Sequence, residues 1–269
     1  MKKLGLIAGK GDLPKAVASE AKAQGYTVIA IALEPLTDKS LSSYVDEMKL
    51  VNVGKFGKII DSLQAYGIKK IVMAGKVSKT LLYKSNIAPD MRAVKLLFSL
   101  KDRSDDSILL AITKELEKEG FQLLDITRFC NRLLTPNGVL TKRRPNKNEW
   151  KDIEFGWRMA KEMGRLDIGQ TVVVKNQAVM AVEAIEGTDE AIKRGGKLAG
   201  GGAVVVKVSK PNQDMRFDVP AVGLDTLHAM VEAGACVLSV ESKNSIFLDK
   251  EKLIKESNKA GISIVGYSG

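Results

Sequence analysis

The chain has 269 residues, of which 45% are hydrophobic and 28% charged, with 42 Lys and Arg against 32 Asp and Glu for a formal net charge of +10. At about 100–200 residues per domain, this is one large domain or two modest ones with an ordinary core, so disorder is not the default. Aromatic residues make up 5%, too few for an exposed stacking platform for single-stranded bases, while the positive excess suits nucleic acid, a membrane surface or an anionic small molecule without choosing among them.

The first half alternates strands and helices. Residues 4–8, LGLIA, form a short continuous apolar run, as in a buried parallel strand. Pro14 suits the first turn of a helix that runs to a C-capping Gly25. Residues 26–32 predict a second strand, 48–53 a third, 56–67 a helix ending at Gly67, and 70–74 a strand ending in Gly75. Helical patterns cover 90–100 and 105–119. This is a βαβ series, so a Rossmann-like parallel-sheet domain is expected over 1–130. Residues 131–150 hold two prolines, four asparagines and a basic cluster, and read as a linker. From 151 to 269 the pattern restarts as a second, mixed α/β domain. Its predicted elements are a helix at 152–165, strands at 171–174 and 177–183, a helix from 188, and a strand at 203–208. A helix at 224–234, strands at 236–241 and 244–248, a helix at 249–260 and a strand at 262–266 follow.

Five stretches could carry chemistry; in one of them, RSDDSILLAI, Asp105 and Asp106 open a helix as ordinary capping residues, and paired acids can also hold Mg²⁺. In GLIAGKGDLP, Gly9 and Gly11 stand between a strand and a helix, where backbone can approach a phosphate beside a helix N-terminus. The dinucleotide fingerprint would put a third glycine where Pro14 stands, although Glu34 ends the second strand as ribose recognition would want. A nucleotide-dependent oxidoreductase using this loop is therefore the alternative reading. In MAGKVSK, Gly75 and Lys76 sit at the carboxyl end of a strand, the edge where open α/β sheets bind ligands; a plain turn explains them equally well. In VEAIEGTDEAI, Thr188 as N-cap with Asp189 and Glu190 in the first turn is explained by helix initiation. The stretch VVVKVSKPNQDMRFDVPAVG sends Lys207, Lys210, Gln213, Asp214, Arg216 and Asp218 out of an apolar strand. Arg216 and Asp218, two apart in an extended segment, share a face, and Pro220 biases Val219 toward extended geometry. Cations with a fixed carboxylate suit phosphoanhydride hydrolysis, the cations neutralising phosphate charge and the carboxylate holding Mg²⁺ or positioning water. A solvated loop with a local ion pair would use the same residues.

Read in order, GLIAGKGDLP, FGKIIDSL, AGKVSK, SDDSILLAI, GRLDIGQTVVV, VEAIEGTDEAI and KPNQDMRFDVPAVG resemble the LpxI family of UDP-2,3-diacylglucosamine pyrophosphatases across nearly the whole chain. The resemblance implies a Rossmann-like N-terminal domain, a linker and an unusual α/β C-terminal domain, with substrate between the domains. It implies Mg²⁺-dependent hydrolysis of UDP-2,3-diacylglucosamine to UMP and 2,3-diacylglucosamine 1-phosphate (lipid X), a step of lipid A biosynthesis. The family's key carboxylate falls on Asp218, as catalytic group and metal ligand, with Arg216 beside it. Substrate contacts fall on Gly9, Gly11, Gly75, Thr188, Asp189 and the region from Lys210 to Gln213, to which the residue reading adds Lys76 and Lys207. One departure is GLDTL after Gly223, where Asp225 is an added acid expected to cap a helix.

Other features narrow the partners. The single histidine, His228, lies in the helical run LDTLHAMVEAG, where a buried or capping role is expected, and one imidazole cannot build a His-rich two-metal centre. Cys130 and Cys236 have no CxxC spacing, so neither a zinc cluster nor a disulfide framework is expected. No Nudix-type REx₂EE core occurs. No apolar run reaches the ~18 residues of a membrane span, and the start MKKLGLIAGKGDLP breaks too early for a signal peptide. The expectation is a cytoplasmic protein, peripheral at an anionic inner membrane, that takes a lipid-linked UDP-sugar and no nucleic acid, with room for a homodimer.

Overall fold

The computed structural model describes residues 2–77, 89–100, 105–211, 213–216 and 219–269. Their contacts divide into two compact units. Residues of the N-terminal part up to Cys130, together with Met215 and Arg216, form the first unit; Asn131–Asp214 and Val219–Gly269 form the second.

The first unit is built on strands β1 (Lys2–Ala8), β2 (Tyr26–Glu34), β3 (Glu47–Asn52), β4 (Lys70–Ala74) and β5 (Gln122–Leu123). They pair in the order β3-β2-β1-β4-β5 and every pairing is parallel, as the βαβ series predicts. Leu4, Leu6, Ile29, Ile31 and Ile71 are buried because helices cover the sheet, which is why these strands read as continuous apolar runs rather than alternating ones. Helix α1 (Leu13–Ala23) carries Pro14 in its first turn and gives way to Gly25 at φ +79°; α2 (Phe56–Ala65) gives way to Gly67 at φ +64°. Helices α3 (Met91–Phe98) and α4 (Asp105–Lys118) follow close to their expected positions.

The second unit contains β6 (Gly138–Val139), α5 (Lys147–Arg165), β7 (Thr171–Lys175), β8 (Ala178–Val182), α6 (Thr188–Ala199) and β9 (Val204–Lys207). It continues with β10 (Ala221–Val222), α7 (Leu224–Glu232), β11 (Val237–Glu241), β12 (Ile246–Phe247), α8 (Lys250–Lys259) and β13 (Ser263–Tyr267). Its main sheet runs β6-β13-β11-β9-β7-β8, with β13, β11 and β9 parallel and β6, β7 and β8 antiparallel to their neighbours. Strand β12 pairs in parallel with β10 rather than with β11. Strands β7 and β8 form an antiparallel hairpin. Its turn residues Asn176 and Gln177 have φ of +52° and +56°, the two-residue geometry that matches strand twist. Asp152 of α5 accepts both of their N–H groups, at 3.0 and 2.6 Å. Val173, Val205, Leu238 and Ile264 pack on one face of this sheet, and Val172, Val174, Val204 and Val206 on the other. The chain is thus α/β in both units: an all-parallel sheet, then a mixed one.

Residues 131–150, read from sequence as a linker, carry β6 and the start of α5. Helix α5 begins five residues before the expected 152, because Asn146 and Glu149 form a capping box at 2.8–3.0 Å. His228 is exposed on α7, contrary to the buried or capping role. Asp225 lies in that helix's first turn, while the N-cap is Gly223.

Candidate functional site

The first group of residues gathers at the carboxyl ends of β1 and β4. These neighbouring strands mark the point where strand order reverses, the crevice in which open α/β sheets take ligands. The two loops leaving them are laced together through backbone. Gly9 N–H donates to the Ala74 carbonyl at 2.8 Å, and Lys10 and Lys76 exchange N–H···O bonds of 3.0 and 2.9 Å. A Cβ on Gly9 would stand 2.8 Å from the Lys76 carbonyl oxygen, and one on Gly75, at φ +96°, 2.8 Å from the Gly9 carbonyl carbon. Both glycines are therefore required by loop against loop. Gly11 differs: at φ +100° its Cβ would meet nothing within 4 Å, so this is where a ligand has open access to backbone. Helix α1 starts directly behind it with no side-chain cap on its N-terminal N–H groups, because Asp12 pairs instead with Lys15 at 2.9 Å. Lys10 and Lys76 are exposed beside the glycines and form no ion pair among the described residues.

The second group lies at the carboxyl end of β9. Lys207 is 4% exposed, and its Nζ donates to Thr188 Oγ1 at 2.8 Å and stands 3.9 Å from Glu183 Oε2. Thr188 in turn donates to Glu183 Oε1 at 2.6 Å. Burial pushes the Glu183 carboxyl up, but the Lys207 ammonium, the Thr171 and Thr188 hydroxyls and the Gln170 N–H outweigh it and hold it below the usual carboxylate range. The ammonium sequence reading turned toward a diphosphate thus faces inward, where an unpaired Glu183 would be costly. Thr188 is not the N-cap of α6. Gly187, at φ +89°, holds that place, which frees the Thr188 hydroxyl for Glu183. Asp189 is in the first turn of α6 as expected and accepts from Thr226 Oγ1 at 3.3 Å.

Beyond β9, Gln213 Oε1 accepts from the Lys210 N–H at 2.7 Å, closing a short turn, and the Lys210 ammonium pairs with Asp167. Met215 and Arg216 then join the first unit. Ile126 N–H donates to the Met215 carbonyl at 3.3 Å, and Arg216 Nη1 lies 3.2 Å from Glu117 of α4. Asp218 lies outside the described residues. The structure therefore brings Gly9, Gly11, Gly75 and Lys76 together in one unit, and Thr188 and Lys207 into one contact network in the other.

Of the residues not singled out from sequence, Glu183 sits in the Lys207 network, and Lys161 and Glu241 hold Ser209 where the chain leaves β9. Glu183 follows the apolar strand β8, and Glu241 ends β11. A carboxylate terminating an apolar strand run was the available signal for both. Among the described residues no group of three His, Cys, Asp or Glu side chains is placed to hold a metal ion, so they do not by themselves form a magnesium cage. Both thiols are poor nucleophiles. Burial, then Glu20, pushes Cys130 up to about 12, and burial, then Glu149, pushes Cys236 up to about 11.

Comparison with known proteins gives a consistent picture along the sequence. Residues 3–133 match the family model described as the LpxI N-terminal domain, and 136–265 the one described as the LpxI C-terminal domain. A protein of Caulobacter vibrioides named UDP-2,3-diacylglucosamine pyrophosphatase LpxI is 35% identical over 277 aligned positions, covering 99% of this chain and 98% of that one. Among solved structures, N5-carboxyaminoimidazole ribonucleotide synthetase from Thermotoga maritima is 20% identical over 66% of this chain and 40% of its own, with a TM-score of 0.24. The biotin carboxylase domain of a thermophilic 2-oxoglutarate carboxylase is 16% identical over 64% and 35%, with a TM-score of 0.28.

Proposed function

The chain belongs to the LpxI family, and from that premise we propose that it is a pyrophosphatase acting on UDP-2,3-diacylglucosamine, releasing UMP and 2,3-diacylglucosamine 1-phosphate in lipid A biosynthesis. The observation that carries this reading is the relative so named, 35% identical over 99% of this chain. In the reaction water adds across the P–O–P bridge: one phosphorus gains the water oxygen and the other keeps the bridging oxygen.

The residues divide by task. Gly11 and the uncapped start of α1 offer backbone N–H groups to phosphate oxygens, with the Lys10 and Lys76 ammoniums alongside. Gly9 and Gly75 hold those two loops in contact. Lys210, Gln213 and Arg216 meet the anionic substrate, while Lys207 acts from inside by fixing Thr188 at the start of α6, next to Asp189. Asp218 supplies the catalytic carboxylate. Magnesium, when bound, neutralises diphosphate charge; such an ion is commonly held by one or two carboxylates plus the substrate's own phosphates, and Asp218 is the residue assigned to it.

A substrate with two acyl chains resides in a membrane. No helix among the described residues is long and apolar enough to cross one, and the net charge of +10 favours peripheral contact with anionic lipid at the cytoplasmic face of the inner membrane. The test is incubation of the purified chain with UDP-2,3-diacylglucosamine, with Mg²⁺ and with EDTA, read by mass spectrometry. UMP and the sugar phosphate should form with Mg²⁺ and not with EDTA. Absence of UMP under both conditions overturns the activity, and equal turnover in both overturns the metal dependence.

A further inference from the structure

Glu241 ends β11, which runs parallel to β9 with Val240 opposite Lys207, so its carboxylate stands at the same sheet edge from which the chain leaves β9. Its side chain is 8% exposed. Oε2 accepts from the Ser209 N–H at 2.7 Å and from Lys161 Nζ at 2.6 Å, and Oε1 accepts from Asn244 Nδ2 at 2.9 Å. Lys161, on α5, also donates to the Ser209 carbonyl at 2.9 Å, and its Nζ lies 5.0 Å from the Trp157 ring centroid. One ion pair thus grips the N–H and the C=O of the same residue. Lys210 follows immediately, and Gln213 folds back onto the Lys210 N–H.

A strand exit does not need such a device. The preceding residue, Val208, already donates to the Gln170 carbonyl at 3.0 Å. Burying a carboxylate and an ammonium also carries a desolvation cost that makes ion pairs weak contributors to stability; their best-attested use is to specify one arrangement. We propose that Glu241 and Lys161 are positioning residues for the loop that starts at Ser209, setting the direction in which Lys210 and Gln213 are presented to the diphosphate-bearing substrate. The proposal rests on the pyrophosphatase reading for its kinetic consequence, though not for its structural one.

The experiment compares Glu241→Gln and Lys161→Met with a control, Glu149→Gln. The control breaks the Arg143–Glu149 pair in the same unit, also half-buried or better but bonded to neither Ser209 nor the loop. In the full-length protein, KM for UDP-2,3-diacylglucosamine should rise by about tenfold in the two loop variants with kcat within about threefold, the signature of lost substrate positioning. Amide exchange at Ser209 and Lys210 should quicken in both, and the control should leave KM and those amides unchanged at a similar loss of melting temperature. Unchanged KM and exchange in the loop variants, or an equal rise of KM in the control, overturns the proposal. If Glu241→Gln does not fold, Lys161→Met, at 27% exposure, decides alone. If wild-type protein does not turn the substrate over, the activity reading has failed, and the exchange comparison still decides the positioning role.

Discussion

The two units finish their parallel strands in opposite ways. The ends of β1 and β4 are made of backbone: glycines, N–H groups and a helix start, with the nearby lysines exposed. The ends of β9 and β11 are made of buried side chains, with Lys207 held by Glu183 and Thr188, and Glu241 by Lys161. The first design fails when atoms are added, because there is no room. The second fails when a charge is removed, because its partner is stranded in a low-dielectric interior.

The largest effect is expected where the loop leaving β9 reaches Asp218. Asp218→Ala should lower the hydrolysis rate by about three orders of magnitude, as loss of a central electrostatic group does, with circular dichroism and melting temperature unchanged. Near-normal turnover would remove Asp218 from the chemistry. Next comes the buried charge. Lys207→Met should cost about 3–5 kcal/mol by denaturant unfolding, because it strands Glu183, and adding Glu183→Gln should recover part of that loss. Additivity of the two changes would mean that the pair is not coupled.

The backbone side should respond to volume. Gly75→Ala meets both a left-handed backbone and the Gly9 carbonyl carbon at 2.8 Å, and should cost about 3 kcal/mol. Gly11→Ala has the same kind of φ but open space around it, and should cost about 1 kcal/mol while weakening UDP binding in calorimetry. Equal stability losses at the two positions would contradict the laced-loop geometry. The smallest effect is on pH dependence. The folded Glu183 carboxyl lies below its ordinary value of 4.5, so its contribution is fully present above about that pH and is lost as pH falls through the depressed folded value. Thermal melts should therefore decline more steeply below pH 4.5 in wild type than in Glu183→Gln; parallel curves would show that the carboxyl is not depressed.

Much of the fold was legible because it rests on short-range chemistry. Apolar runs bounded by glycine marked β1, β2 and β4, and Pro14, Gly25 and Gly67 marked helix ends. The two-residue strands β5, β6 and β10 have no sequence period long enough to read. The partner of β12 is β10 rather than its sequence neighbour β11, a pairing that no local pattern reports. Among the candidate site residues, Gly9 and Gly75 were legible as strand-end glycines, though sequence did not show that each excludes a side chain for the other's sake. Lys207 was legible as a cation but not as a buried one, since its orientation depends on Glu183 and Thr188, 24 and 19 residues away.

The sequence by itself determined the two α/β halves, the glycine turns and membership of a family, because periodicity, turn chemistry and motif order are properties of neighbouring residues. Only the tertiary structure decided which charges are buried together. Placing Lys207 against Glu183 and Lys161 against Glu241 takes strands and helices far apart in the chain, and the free energy of a charge depends on the atoms that replace its water rather than on the residues beside it.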